Sequence, residues 1–195
     1  MVKKTKRSEG QITISRGTLK GRKITFPNLD DLRPTPLRVR EAVFSMIHPT
    51  VKSHAFVDLF CGSGGMAFEA WSCGFRPIYY AESNAAARES LKRNSARMGV
   101  EVLGAFATAV ELIEHLKEKV SGAERPFLFY ADPPYRNYMN SSALIHKLFE
   151  PPLFPEGSLL LIEHEKGTTT PFHPRLIIKK EKKYGRSLIS QCLLT

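Results

Sequence analysis

The chain has 195 residues, of which 42% are hydrophobic and 25% charged, a composition that suits one soluble globular core. No apolar run approaches the roughly 20 residues of a membrane helix, and the basic start of the chain has no apolar segment behind it, which argues against a secretory signal. Three widely spaced cysteines favour reduced thiols in a cytoplasmic protein, and the six histidines show no ligand spacing that would indicate a metal site.

The net charge of +10 is concentrated near the N-terminus. Residues 1–40 carry eleven Lys or Arg against three acids, whereas residues 41–195 carry eighteen against sixteen. A local excess of this kind is typical of a protein that binds a polyanion such as a nucleic acid. Solvated charge without a partner is the alternative interpretation, and it applies more strongly to a second basic cluster over residues 179–186.

The first 34 residues predict a small extension before the main domain. Residues 1–10 are polar and basic without periodicity, which indicates a disordered tail. Gln11–Ser15 and Lys23–Phe26 are predicted as strands of a β-hairpin, so the extension covers residues 11–34. Thr35 as N-cap and Pro36 as first helical residue then predict a helix that continues to about Ile47.

From residue 55 onward, predicted strands and helices alternate. This order is typical of an α/β domain over residues 35–195, with a doubly wound, mostly parallel Rossmann-like sheet and a C-terminal antiparallel hairpin. Ligands of such sheets bind past the carboxyl ends of the strands, where the strand order reverses. The predicted strands are Ala55–Phe60, Pro77–Ala81, Glu101–Phe106, Phe127–Ala131, Leu159–Ile162, Leu176–Lys180 and Leu188–Leu193; the helices are Gly65–Cys73, Asn84–Met98, Thr108–Val120 and Ser141–Phe149.

The loop after the first of these strands has the features of a cofactor site. It runs from Asp58 through Gly62 and Gly64 into a helix, so its backbone can approach a ligand closely and the helix start offers free N–H groups. Glu82 follows the next strand, where a carboxylate suits the two hydroxyls of a ribose. These residues predict a cofactor of the adenosine type.

Two cofactors satisfy this pattern. The glycines formally match a dinucleotide fingerprint, which favours a nicotinamide or flavin. Asp58, however, lies at the strand end, where its carboxylate would be close to the pyrophosphate of a dinucleotide and would not favour its binding. S-adenosylmethionine has no phosphate and carries an ammonium and a sulfonium that this acid could hold. We therefore favour S-adenosylmethionine.

The second notable motif is Asp132-Pro133-Pro134-Tyr135, directly after an apolar strand. The prolines fix two φ angles and remove two backbone donors, so acceptors face outward; Asp132 adds a carboxylate and Tyr135 a ring for stacking. A base with an exocyclic amine fits such a slot. A simple strand-end turn is the alternative interpretation.

Together, these motifs resemble the RsmD family of 16S rRNA guanine-N2 methyltransferases. The resemblance extends from about residue 11 to the C-terminus. It rests on the segments Gly17–Ile24, Leu32–Phe44, Asp58–Gly64 and Asp132–Tyr135, and on Tyr184-Gly185. It implies methyl transfer from S-adenosylmethionine to guanine N2 of small-subunit rRNA, naked or in the assembling 30S subunit, by a cytoplasmic enzyme without a metal. Nothing in the sequence requires more than a monomer.

The motifs and the resemblance give three sets of candidate residues. The catalytic set is Asp132, Pro133, Pro134 and Tyr135. The cofactor-binding set is Asp58, Phe60, Gly62, Ser63, Gly64, Glu82, Ser83 and Thr108. The RNA-binding set is Lys20, Arg22, Lys23, Arg33, Arg38 and Arg40. Arg33 could alternatively brace the cofactor, and Arg38 and Arg40 could be solvent-facing helix charges.

The chain departs from the family pattern near the third strand of the domain. The acid that commonly contacts the cofactor adenine is absent from residues 106–109, and Thr108 or a backbone group is the expected substitute. Trp71 and Cys73 stand where smaller or basic residues are usual, which indicates altered packing. Alternative functions are methylation of DNA adenine N6, methylation of a protein glutamine, and a non-catalytic RNA-binding assembly factor. Cofactor binding would separate this last alternative from the enzymes.

Overall fold

A computed structural model describes residues 9–47, 53–102, 104–122, 125–133, 138–165, 173–185 and 187–194. The strands are β1 (Glu9–Thr13), β2 (Lys23–Pro27), β3 (Ala55–Asp58), β4 (Ile78–Ala81), β5 (Gly104–Phe106), β6 (Phe127–Ala131), β7 (Leu159–Glu165), β8 (Leu176–Tyr184) and β9 (Ser187–Leu194). The helices are α1 (Leu37–Ile47), α2 (Gly65–Cys73), α3 (Ala85–Met98), α4 (Ala109–Lys119) and α5 (Tyr138–Phe149), and a 3-10 turn spans Val120–Gly122. None of the helices in these ranges combines the length and apolarity needed to cross a membrane.

Seven strands form the central sheet in the order β5-β4-β3-β6-β7-β9-β8. Neighbours from β5 to β7 are parallel, while β9 runs antiparallel to both β7 and β8. The order reverses between β3 and β6, so the carboxyl ends of these two strands open a crevice at one edge of the sheet. The predicted doubly wound sheet with a C-terminal hairpin is confirmed.

The sheet separates two apolar layers. On one face, α1, α2, α3 and the N-terminal extension cover residues such as Phe56, Leu128 and Leu161; on the other, α4 and α5 cover Val57 and Phe129. The core strands are buried on both faces, which explains their continuous apolar sequences. Charged side chains that nevertheless lie on these strands therefore require a specific explanation.

Local sequence signals account for most element boundaries. Asn84 caps α3 by accepting hydrogen bonds from the backbone N–H groups of Ala86 and Ala87, at 2.9 and 3.1 Å. Helix α1 begins one residue later than predicted, at Leu37, and the Pro36 carbonyl accepts its first hydrogen bonds. Strands β7 and β8 continue three and four residues beyond the predicted ends, because their last residues are polar and give no apolar signal.

The predicted hairpin extension is confirmed and begins earlier than expected. Strands β1 and β2 pair antiparallel, with Glu9 opposite Pro27, so residues 9 and 10 belong to a strand and not to the predicted tail; residues 1–8 lie outside the described ranges. The turn region is anchored on α2. Gly17 has a φ of 74°, and a Cβ there would lie 1.9 Å from the Ser72 carbonyl oxygen. Glycine is therefore required at this contact.

A buried ion pair joins the extension to α1 and α2. The Arg40 guanidinium donates to a Glu69 carboxylate oxygen at 3.0 Å, and the two side chains are only 3% and 0% exposed. Arg40 also donates to the Thr13 carbonyl, while the Ser15 backbone N–H and hydroxyl donate to Glu69. The structure places Arg40, a predicted RNA contact, inside the protein, where its charged group is enclosed and paired with Glu69.

Candidate active site

Asp58 lies at the carboxyl end of β3 and is 1% exposed. Its Oδ1 accepts a hydrogen bond from the Phe60 backbone N–H at 3.3 Å, whereas its Oδ2 is buried without a partner in the described part of the chain. Burial raises the pKa of the Asp58 carboxyl from 3.8 to about 7, although the Phe60 N–H, the Cys61 thiol and the Ala67 N–H each favour its ionised form. A buried carboxyl oxygen without a donor is costly, and this one is suited to receive a cationic ligand.

Glu82 fixes the glycine loop against the end of β4. Its two carboxylate oxygens accept hydrogen bonds from the backbone N–H groups of Gly62 and Asn84, both at 2.7 Å. Gly62 has a φ of 53°, and the only protein atom within 4 Å of a Cβ built there, among the described residues, is the Phe60 carbonyl oxygen, 4.0 Å away. The loop is therefore held in place from one side and open on the other, as close approach of a ligand to its backbone requires.

The other predicted cofactor residues are distributed around this loop. Ser63 is buried, and its Oγ accepts from the Gly65 N–H at 3.4 Å; Gly64 is the N-cap of α2. Phe60 is partly buried and packs on the second apolar layer. The exposed Ser83 offers its carbonyl to the Arg88 guanidinium at 2.6 Å. These residues lie in the loops that follow β3 and β4 at the carboxyl edge of the sheet, close in sequence to Asp58 and Glu82.

Thr108 is engaged in a structural contact. Its hydroxyl accepts from the Glu111 backbone N–H at 3.2 Å, and the Glu111 carboxylate accepts from the Thr108 N–H at 3.3 Å. This reciprocal pair is a capping box that begins α4. A contact to the cofactor adenine would have to use the remaining capacity of the same hydroxyl.

Asp132 directly follows β6, the strand that neighbours β3 in the sheet. The parallel register pairs Asp58 with Tyr130, so Asp132 lies just beyond the end of β3. Burial, followed by the charges of Glu163 and Asp58, raises the pKa of the Asp132 carboxyl from 3.8 to about 7. Pro133 is buried. The other two predicted catalytic residues, Pro134 and Tyr135, lie outside the described residues.

A third acid, which the sequence interpretation missed, belongs to this site. Glu163 lies on β7, is 7% exposed, and accepts a hydrogen bond from the Tyr130 hydroxyl at 3.0 Å. Burial and the neighbouring carboxylates raise the pKa of Tyr130 well above its usual value, so its hydroxyl remains protonated as the donor. An acid directly after the apolar run Leu159–Ile162 was the available signal.

The remaining basic candidates lie on the surface. Lys20, Arg22 and Lys23 are exposed on the extension, and Arg33 is exposed in the loop before α1. Arg38 is exposed at the start of α1, where its Nη2 would lie 2.6 Å from a Cβ built on Gly185. Lys20, Arg22 and Lys23 therefore flank α2 and α3, whereas Arg38 lies beside the turn between β8 and β9. Within the described residues, no group of three or more His, Cys, Asp or Glu side chains could hold a metal ion.

This strand order, with acids at the ends of β3, β4 and β6, defines a Rossmann-like fold of the methyltransferase class. A solved structure from Escherichia coli superposes with a TM-score of 0.77 at 24% identity, covering 95% of this chain and 98% of that one. An RNA methyltransferase from Salinibacter ruber in complex with S-adenosyl-L-homocysteine superposes with a TM-score of 0.57 at 15% identity, covering 83% of this chain and 94% of that one.

Sequence comparison then gives the family. A family model described as "Conserved hypothetical protein 95" matches residues 12–192. The chain belongs to this family, which is the RsmD family that the motifs resemble. A relative from Haemophilus influenzae, the ribosomal RNA small subunit methyltransferase D, is 27% identical over 181 residues, which cover 93% of each chain. The predicted family is confirmed.

Proposed function

We propose that this protein transfers a methyl group from S-adenosylmethionine to the exocyclic N2 amine of a guanine in small-subunit rRNA. The observation that carries this proposal is that Asp58 and Asp132 lie at the carboxyl ends of two neighbouring strands, each with a pKa raised to about 7. One acid is suited to a cationic cofactor and the other to an amine substrate. The family membership and the name of the Haemophilus influenzae relative support RNA as the substrate.

The residues of the β3–β4 half fit S-adenosylmethionine. The Asp58 Oδ2, which lacks a donor within the described residues, would accept from the ammonium of the cofactor. Glu82 holds the loop with one lone pair of each oxygen and retains others for ribose hydroxyls. When bound, S-adenosylmethionine supplies an electrophilic methyl group on a sulfonium.

The β6 half would position the amine. The lone pair of an aryl amine is delocalised into its ring, which makes the amine a weak nucleophile. Asp132 and the Pro133 carbonyl would accept the two N–H bonds and favour the form in which the lone pair is localised on nitrogen. After transfer, the nitrogen carries an extra proton, and a carboxylate with a pKa of about 7 can accept it at neutral pH. Tyr135 is proposed to stack on the base.

The exposed basic residues would bind the RNA backbone. Reversing the charge of Lys20, Arg22 and Lys23 is expected to weaken RNA binding and to reduce the dependence of log K on log salt by about one for each phosphate that is no longer neutralised. Lys119, exposed on α4 across the sheet, provides the matched control, because reversal there should leave the salt dependence unchanged. Equal salt dependence in the triple variant and the wild type would exclude the extension as the docking surface.

The deciding experiment is methyl transfer from labelled S-adenosylmethionine to small-subunit rRNA that lacks its native guanine-N2 methylation. The RNA is presented both naked and as assembled subunits, and Asp132→Ala is measured alongside. Label recovered as N2-methylguanosine, and lost in the variant, would support the proposal. Bound cofactor without label on either substrate would move the search to DNA and protein amides, and absence of cofactor binding would favour a scaffold role. We further propose that the enzyme acts as a cytoplasmic monomer.

A further inference from the structure

Glu163 is placed beside the amine-binding acid by the pairing of β6 and β7. Their parallel register pairs Tyr130 with Leu161 and Ala131 with Ile162, so Asp132 and Glu163 occupy the next position in the same ladder. Neighbouring strands are about 4.8 Å apart. The two carboxyls are close enough for the charge of Glu163 to raise the pKa of Asp132.

Nothing within the described residues neutralises Glu163. It forms no ion pair there, and the Tyr130 hydroxyl is a neutral donor to one of its oxygens. A 7%-exposed carboxylate without a cation is costly to fold, and a second acid alongside increases the cost. The Tyr130 hydrogen bond orients this carboxylate at the carboxyl edge of the sheet, where the substrate base is expected. These properties indicate a role in binding a ligand that donates hydrogen bonds.

The number of acceptors at this edge matches one base edge. Asp132 and the Pro133 carbonyl at the end of β6, together with Glu163 on β7, provide three acceptor groups at this edge. Guanine presents three donors in sequence: two N–H bonds on N2 and the adjacent N1–H. Adenine and cytosine also carry an exocyclic amine, but the ring nitrogen beside that amine is an acceptor. Facing Glu163, such a nitrogen would place two acceptors against each other without a proton between them.

We propose that Glu163 determines the base specificity of the enzyme by accepting the N1–H of the target guanine, while Asp132 and Pro133 accept the N–H bonds of N2. This inference rests on the proposed function and adds the residue that selects guanine over adenine and cytosine. A site built around a hydrogen bond discriminates strongly against an analogue that lacks the donor, because the buried acceptor is then left unpaired.

The test uses RNA in which the mapped target guanine is replaced by 2-aminopurine. This base keeps the amine on C2, but its N1 carries no hydrogen and is an acceptor. We expect wild-type kcat/KM to be about 10- to 100-fold lower with 2-aminopurine than with guanine. Similar values for the two substrates in the wild type would overturn the assignment without any reference to a variant.

Glu163→Gln isolates the N1 contact, because its amide can donate to the N1 of 2-aminopurine. The preference for guanine is expected to fall by about tenfold or more relative to the wild type. If Glu163→Gln lowers kcat/KM equally for guanine and for 2-aminopurine, Glu163 has only a structural role. Tyr130→Phe removes the orienting hydrogen bond while keeping the ring, and should reduce the preference by a few fold. An unchanged preference in Tyr130→Phe would contradict the proposed orientation of Glu163.

The outcomes separate this inference from the function on which it rests. If the wild type transfers no methyl group to guanine-containing RNA, the proposed function fails. If it methylates guanine N2 and 2-aminopurine equally well, the function stands and only the role of Glu163 fails. Binding of S-adenosylmethionine by each variant serves as the check that the crevice is folded.

Discussion

Two acids lie in the buried region around α2, and the protein treats them in opposite ways. Glu69, on α2 itself, accepts from the Arg40 guanidinium and from Ser15, so a cation and several donors satisfy it inside the protein. Asp58, at the start of the loop that leads into α2, receives a 3.3 Å hydrogen bond from the Phe60 N–H. The Cys61 thiol and the Ala67 N–H interact with it more weakly, and its Oδ2 has no hydrogen-bond partner among the described residues. The first acid connects three elements, whereas the second retains unused acceptor capacity.

These two acids show how structural charge can be separated from functional charge in this fold. Burial alone does not distinguish the two acids, since they are 0% and 1% exposed. What differs is the supply of donors, and the same criterion applies to other residues. The Thr108 hydroxyl is already hydrogen-bonded in the capping box of α4. Asp132 and Glu163, in contrast, face each other across neighbouring strands as two like charges. Unused acceptor capacity is concentrated at the carboxyl edge of the sheet.

The largest effect is expected from breaking the structural pair. Arg40→Met keeps most of the side-chain volume but leaves the Glu69 carboxylate buried without its cation. We expect the free energy of unfolding to fall by about 3–5 kcal/mol, measured by chemical denaturation. The double variant Arg40→Met with Glu69→Gln should recover part of this loss. A loss below about 1 kcal/mol for the single variant would show that the pair does not connect the extension to the domain.

Asp132→Asn should produce the next largest effect, on turnover. Asparagine keeps the shape of the side chain but removes the charged acceptor, and we expect the rate of methyl transfer to fall by about 10²–10³-fold. In the wild type, the carboxyl must be ionised to accept N–H bonds, so turnover should rise about tenfold per pH unit up to about pH 7 and then level off. The measurement is the pH dependence of single-turnover rates, and the Asn variant should lack this ionisation. A wild-type rate that is flat from about pH 5.5 to 8 would remove Asp132 from the rate-determining step.

Asp58→Asn is expected to reduce the affinity for S-adenosylmethionine by roughly 10- to 100-fold, the contribution of a hydrogen bond to a charged group. Calorimetric titration measures this affinity. Because the folded pKa is raised from 3.8 to about 7, the stability contributed by the neutral carboxyl is complete below pH 3.8 and is lost as the pH rises to about 7. The ligand-free wild type should therefore lose stability relative to Asp58→Asn over this interval. Parallel stability curves for the two proteins would contradict the raised pKa.

The same comparison shows what the sequence could predict. The loop after β3 and the Asp132 motif were predictable because close backbone approach requires glycine and an outward acceptor edge requires proline, and both requirements leave local signatures. The role of Arg40 was not, because its partner Glu69 lies 29 positions away along the chain and only the folded core brings them together. Glu163 was missed because the acid after the apolar run does not reveal the register of β7 with β6, and it is this register that places Glu163 beside Asp132.

The smallest effect should come from Thr108, where structural and functional roles meet on one hydroxyl. Thr108→Ala removes the cap of α4 and should reduce the free energy of unfolding by about 1 kcal/mol, measured by chemical denaturation, whereas Thr108→Ser should retain it. Because the hydroxyl already accepts from Glu111, its contact with the cofactor adenine would be weak. We therefore expect only a few-fold loss of S-adenosylmethionine affinity in Thr108→Ala. A loss as large as that of Asp58→Asn would mean that Thr108 replaces the missing acid in full, and that a satisfied donor–acceptor pair does not exclude a residue from the site.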